Sequence, residues 1–177
     1  DKNDIFWEIG LPIHGGFNDT LVYLANDRSM TCITSVQSYI EVLKSFKGKI
    51  IFLGSFSGVK NSNSNYGKTK YLLKELTLLS GNTVVSAGLF SHKNRLQLPK
   101  VLQKLGRTFH VKFIWNDIEC KFFVTDMDKL VSVIIGEIDY PSKKEIFCRE
   151  SETITFSEMF VKPKNERRKI SLPIRLD

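Results

Sequence analysis

The sequence predicts an α/β fold organised on a parallel sheet, and three observations lead there. Leu21–Ala25, Lys49–Ser55 and Val84–Ala87 are short, near-continuous apolar or β-branched runs, the pattern of strands covered on both faces of a parallel sheet. Between them lie two longer segments, 30–46 and 66–79, whose apolar residues recur at helical spacing. The chain has 177 residues and is 42% hydrophobic, enough for one domain with a real core. Strand, helix, strand, helix, strand is the signature of βαβ units with right-handed crossovers.

Taken in order, Ile5–Ile9 reads as a short strand, broken by Gly10, Pro12 and Gly15-Gly16. Leu21–Ala25 is the first buried strand. In the helix over 30–46, Ile33, Val36, Ile40 and Leu43 form the expected inward stripe, with Gly48 just past its end. Lys49–Ser55 is the next strand and Ser62–Asn65 a loop. The second helix, 66–79, takes its apolar side from Tyr71, Leu72, Leu73, Leu76, Leu78 and Leu79. Val84–Ala87 is the third strand.

Beyond Gly88 the rhythm changes. Residues 94–105 read as a helix carrying Pro99, and Phe109–Trp115 with Lys121–Val124 as an antiparallel hairpin around Asn116-Asp117. Asp126–Gly136 reads as a helix with Leu130, Val133 and Ile134 inward, and Glu145–Arg149 as a short strand. Phe156–Phe160 is a brief helix after a Thr/Ser-rich start at Thr153–Ser157. The expected organisation is a partial sheet domain over 1–90, a small α+β lobe over 91–160 and a basic tail over 161–177.

Composition excludes several function classes. No apolar stretch approaches the ~20 residues that span a bilayer, and nothing resembles a signal peptide, so a soluble cytoplasmic protein without a membrane partner is expected. Cys32, Cys120 and Cys148 are widely spaced within apolar runs and read as buried thiols. His14, His92 and His110 have no ligand spacing, so no metal is expected. Of the net charge of +7, the tail 161–177 supplies +4. That tail has no aromatic after Phe160 to stack on bases, which argues against a nucleic-acid partner.

The chemistry is concentrated in Tyr66-Gly67-Lys68-Thr69-Lys70. On a helix, positions i and i+4 share a face, so this phenol and this ammonium become neighbours. A free phenol titrates near pH ~10 and a nearby cation favours the phenolate, which makes the pair a general acid/base candidate. Ser55 closes the preceding strand, where its hydroxyl can orient a carbonyl or alcohol against the phenol. With 5 Tyr in the chain, chance alone supplies about half such a spacing. The context is what counts: strand, Ser55, polar loop, then Tyr66 and Lys70 opening a helix.

These residues resemble the extended and atypical short-chain dehydrogenase/reductases, the NAD-dependent epimerase/dehydratase family of nucleotide-sugar enzymes. Asp19–Ala25 is similar to that family's D-x-V-I-H-L-A strand, Ile50–Val59 to its strand ending in Ser-Ser, and Tyr66–Lys70 to its Y-G-x-S-K box. Val85–Leu89 is similar to its R-P-G strand, and Lys144–Glu158 to a strand and helix start of its substrate lobe. The resemblance implies a Rossmann-like, doubly wound sheet with NAD or NADP as cofactor and a nucleotide-sugar-like small molecule as substrate. It also implies hydride transfer at a sugar carbon and a homodimer formed through 30–46 and 66–79. Carried over, Tyr66 is the catalytic acid/base, Lys70 lowers its pKa and holds the nicotinamide ribose, and Ser55, or alternatively Ser57, binds the reacting oxygen. Leu24-Ala25 and the backbone of Ala87, Gly88 and Leu89 then line the nicotinamide half of the cofactor site, with Tyr66 and Lys70 also counted among its cofactor-binding residues.

The sequence also departs from that family. It holds no G-x-x-G-x-x-G turn, and His14-Gly15-Gly16 precedes no helix-forming run. The chain is therefore expected to be a family member lacking the N-terminal dinucleotide-binding βαβ segment, with Leu21–Ala25 as an open sheet edge. Ser86-Ala87 stands for Arg-Pro before Gly88, Asn26 follows Leu24-Ala25, and Lys129 replaces the second acid of a His-x-Asp-Asp-Leu box at Asp126–Leu130. These changes keep open a second expectation, a catalytically inactive remnant serving as an interaction module. A serine hydrolase is disfavoured because Phe56 occupies the centre of Gly54–Gly58, where a nucleophile elbow needs Ser.

Overall fold

The computed structural model describes residues 13, 15–24, 31–92, 95–96, 112–115, 121–155 and 169–172. The expectations at Ile5–Ile9, Ala25, Cys120 and Phe156–Phe160 lie outside the described residues, as does most of the tail. Two compact units divide the chain, one of Asp1–Ala87 with Leu130–Cys148, the other of Gly88–Lys129 with Arg149–Asp177.

The first unit is the expected parallel α/β arrangement. Its strands are β1 (Thr20–Tyr23), β2 (Lys49–Ser55) and β3 (Thr83–Ala87), connected through helices α1 (Cys32–Ser45) and α2 (Asn65–Leu79). They pair in parallel, Leu21 opposite Ile50 and Phe52 opposite Val84. Among the described residues β1 is the terminal strand of this sheet. Both helices start on hydroxyl caps: Thr31 Oγ1 accepts from Thr34 N at 3.2 Å, and Ser64 Oγ accepts from Gly67 N at 3.0 Å. Every residue of β3 is buried, as a central strand requires.

The helix faces differ from the aliphatic stripes read in the sequence. In α1, Ile33 is 69% exposed, while Tyr39 and Val42 are buried and Val36 and Leu43 pack partly against them. In α2, Leu79 is 84% exposed, and the buried face runs through Gly67, Lys70, Leu73 and Thr77. The reason is polar pairing across the helix contact: Tyr39 Oη lies 2.6 Å from Thr77 Oγ1, so a phenol and a hydroxyl satisfy each other inside the core. Around them, Tyr23, Tyr39 and Phe52 form an aromatic cluster with ring centroids 4.7–6.2 Å apart.

The later elements correct the sequence reading in several places. Glu145–Cys148 forms a strand that joins the parallel sheet beside β3, with Val84 opposite Glu145. Arg95–Leu96 is a strand, β5, paired antiparallel with β4 (Leu89–His92), instead of part of a helix. Lys112–Trp115 (β6) and Lys121–Asp126 (β7) form no hairpin with each other. β7 pairs in parallel with β4, and β6 pairs in parallel with Lys169–Leu172. The helix expected over 126–136 is α3, Met127–Asp139, and Glu145–Cys148 is β8. Thr153–Thr155 is a strand, β9, antiparallel to β7, and Lys169–Leu172 is β10. Local alternation identified strands here, but partners distant in sequence decided the pairing. Cys148 is buried as expected, whereas Cys32, at the start of α1, is half-buried.

Candidate active site

The site begins at the carboxyl end of β2. Ser55 closes the strand, and the chain turns through Phe56, Ser57 and Gly58. Gly58 N–H donates to the Ser55 carbonyl at 2.8 Å, and Phe56 N–H to the Ala87 carbonyl at the end of β3 at 3.1 Å. The turn is pressed onto the first turn of α2: a Cβ on Gly67 would stand 2.5 Å from the Ser57 carbonyl oxygen, so only glycine fits there. The residue that follows Tyr66 in α2 is therefore packed against the serine turn.

Within α2 the expected juxtaposition is present. The Tyr66 ring centroid is 6.0 Å from Lys70 Nζ. Tyr66 is 45% exposed, and its phenol oxygen has no hydrogen-bond partner among the described residues. Lys70 is the opposite case, 4% exposed. Its Nζ donates to the Leu53 carbonyl at 2.9 Å and lies 4.8 Å over the Phe52 ring. Burial lowers its pKa to about 8, because desolvation disfavours the charged form. The sequence pattern pointed to this lysine but not to its anchor, since a backbone carbonyl leaves no residue-type signal.

Ser55 and Ser57 form a hydroxyl pair. Their Oγ atoms lie 2.9 Å apart, and Ser57 N–H donates to Ser55 Oγ at 3.3 Å. A second polar cluster, unforeseen in the sequence, lies between α2 and β8. Ser86 Oγ donates to Glu145 Oε1 at 2.6 Å, and Lys74 Nζ meets Glu145 Oε2 at 3.3 Å. Its groups are mutually satisfied, and it ties β8 to α2 and β3.

Of the expected cofactor-lining residues, Leu24 follows β1 and is 56% exposed. Ala87 is buried at the end of β3. In the second unit, Gly88 N–H donates to Thr125 Oγ1 at 2.8 Å, and Leu89 pairs with Val124 in β7. At the departing acidic box, Asp126 Oδ1 accepts from the backbone N–H groups of Asp128 and Lys129, capping α3. Lys129 pairs with Glu150 at 3.3 Å and donates to the Arg149 carbonyl at 3.2 Å, so the substituted position has its own partners. Among the described residues no helix is long and apolar enough to cross a membrane.

No family profile matches the chain, and no curated protein matches it in sequence. Solved structures do. The chain is similar to dTDP-glucose 4,6-dehydratase from Bacillus anthracis str. Ames, solved in complex with NAD, at 12% identity over 88% of this chain and 61% of that one, with a TM-score of 0.65. It is similar to UDP-glucose 4-epimerase from Thermotoga maritima, solved with UDP-glucose, at 15% identity over 88% and 64%, with a TM-score of 0.64. For UDP-N-acetylglucosamine 4-epimerase from Bacillus cereus the values are 11%, 80% and 61%, with a TM-score of 0.59. The chain thus spans about three-fifths of the length of these proteins. At such identities the likeness is one of architecture: the chain has a Rossmann-like α/β fold with a parallel sheet flanked by helices.

Proposed function

We propose that this chain carries the proton-transferring half of an NAD(P)-dependent oxidoreductase, epimerase or dehydratase acting on a nucleotide sugar or a similar hydroxy or keto compound. The observation that carries the reading is the Tyr66 phenol, half-exposed and with no hydrogen-bond partner among the described residues, its ring centroid 6.0 Å from the buried Lys70 ammonium at the carboxyl end of a parallel strand. Ligands of open α/β sheets bind outside the carboxyl ends of the strands, which is where Leu24, Ser55 and Ala87 stand. The fold neighbours solved with NAD, with UDP-glucose and with UDP-glucuronic acid support the cofactor and substrate class.

The donor set fits the ribose and nicotinamide half of a dinucleotide: an exposed apolar residue at Leu24, a phenol open to a ligand, and a cation fixed behind it. The bound nicotinamide would supply or accept the hydride. Tyr66 then gives a proton to, or takes one from, the reacting oxygen of the substrate. Lys70 places positive charge beside the phenol that must carry the negative charge, and the Leu53 carbonyl holds it there. Ser55 donates a hydrogen bond to the same reacting oxygen and fixes its distance from Tyr66.

Turnover of nucleotide sugars in the presence of NAD(H) or NADP(H) tests the reading. Tyr66→Phe is expected to lower kcat by at least about a hundredfold while leaving cofactor affinity within about twofold. Near-normal turnover in that variant would show that Tyr66 has another role. The second reading, an interaction module that kept the fold, is favoured by Lys129, which stands where a second acid was expected and is paired with Glu150. A folded protein that binds neither cofactor by calorimetry supports that reading instead.

A further inference from the structure

We propose that Ser57 is a positioning residue that sets Ser55 as a hydrogen-bond donor toward the substrate oxygen; the inference rests on the acid/base reading of Tyr66 and goes beyond it. A hydroxyl has one proton to give and two lone pairs to receive. Ser55 Oγ already accepts the Ser57 N–H at 3.3 Å, and Ser57 Oγ lies 2.9 Å away. When Ser57 donates, both lone pairs of Ser55 are occupied and its proton has no acceptor among the described residues. It then points to whatever oxygen occupies the strand end. In the reverse polarity Ser55 spends its proton on Ser57 and offers the site only a lone pair, which a substrate carbonyl cannot use.

The surroundings favour the first polarity. Ser57 is exposed, so water can serve its own lone pairs, whereas Ser55 is half-buried at the end of β2. The backbone of the turn is fixed on both sides of Ser57. Gly58 N–H is bound to the Ser55 carbonyl at 2.8 Å and Val59 N–H to the Ser57 carbonyl at 3.0 Å. The Ser57 carbonyl also seats on Gly67, in the helical turn that bears Tyr66. Ser57 therefore links the serine that holds the reacting oxygen to the turn that holds the acid/base, without itself being required to touch the substrate.

The test is a double-mutant cycle of Ser55→Ala and Ser57→Ala, with Ser57→Thr as the conservative variant and Tyr66→Phe as the control. Ser57→Ala is expected to lower kcat about tenfold, the scale of one hydrogen bond. KM for the substrate and affinity for NAD(P) stay within about twofold, and Tm shifts by no more than about 2 °C, because Ser57 is exposed. Ser57→Thr restores kcat to within about threefold of the parent. In the Ser55→Ala background, Ser57→Ala has no further effect. A Ser57→Ala protein with parental kcat, or losses that multiply in the double variant, overturns the proposal. Coupling between the two serines that persists while Tyr66→Phe remains active sinks the Tyr66 reading and keeps this one. A folded chain with no turnover in any form overturns both.

Discussion

Burying the Lys70 side chain sets desolvation against function, and the balance makes a sign-definite prediction. Its folded pKa is lowered to about 8 by burial, against 10.5 for the exposed amine. Between those two values the unfolded chain holds a proton that the folded chain has released. Stability therefore rises with pH across that window, and the cost of burying the charge is fully present below pH 8. The total change amounts to about 3 kcal/mol. Lys70→Met keeps the apolar stem and removes the titrating group. Its urea-unfolding free energy is expected to lack this rise between pH 8 and 10.5 and to equal or exceed the parent's at pH 7, while turnover is lost. A Lys70→Met protein with the parent's pH slope would show that another group titrates there. The same residue marks what a sequence exposes: Tyr66 and Lys70 were legible from spacing and strand context, but nothing in the residue types announced Leu53 as the anchor.

At the level of elements, strand and helix positions in the first unit followed from periodicity, and the buried helix faces did not. Counting aliphatic residues placed Leu73 correctly, but it also assigned the exposed Ile33, Leu72 and Leu79 to the core and passed over Tyr39 and Thr77, which the packing buries. Those two are polar and enter the core only as a pair, a fact about two helices that no single helix displays. Proton accounting gives the pair a direction. Thr77 Oγ1 donates to the Leu73 carbonyl at 2.7 Å, so its one proton is spent and Tyr39 must be the donor across the 2.6 Å contact. Tyr39→Phe then removes a donor and leaves Thr77 bonded, at a cost of about 1 kcal/mol. Thr77→Val leaves the buried Tyr39 hydroxyl without an acceptor and costs about 2–3 kcal/mol. Chemical denaturation of the two single variants checks the order. Equal losses, or the larger loss in Tyr39→Phe, would mean that the hydroxyls are bonded the other way round.

For the whole molecule, the parallel fold of the first unit was legible because it is built from consecutive βαβ steps. β8 was legible as a strand but the sheet it joins was not, since four residues, Glu145–Cys148, carry too little pattern to announce a partner. Their place is decided by the register with β3 and by Glu145 meeting both Ser86 and Lys74. The same distance between local pattern and global partner explains why β6 and β7 found other strands instead of each other. Function at this scale is a question of linkage. A ligand bound only by the folded chain stabilises it by RT ln(1 + [L]/Kd), about 2.7 kcal/mol at a hundredfold excess over Kd. For a chain of 177 residues that corresponds to a rise in Tm of about 5–10 °C. The dinucleotide-enzyme reading thus predicts that millimolar NAD(H) or NADP(H) raises Tm by this amount in the parent and by nearly as much in Tyr66→Phe, since the variant keeps the ring and Lys70 and its cofactor affinity stays within about twofold. It also predicts a smaller rise in Lys70→Ala, which loses the cation proposed to hold the ribose. A flat response of the parent to both cofactors, with the protein folded, would leave the acid/base pair without a hydride partner and move the weight to the interaction-module reading.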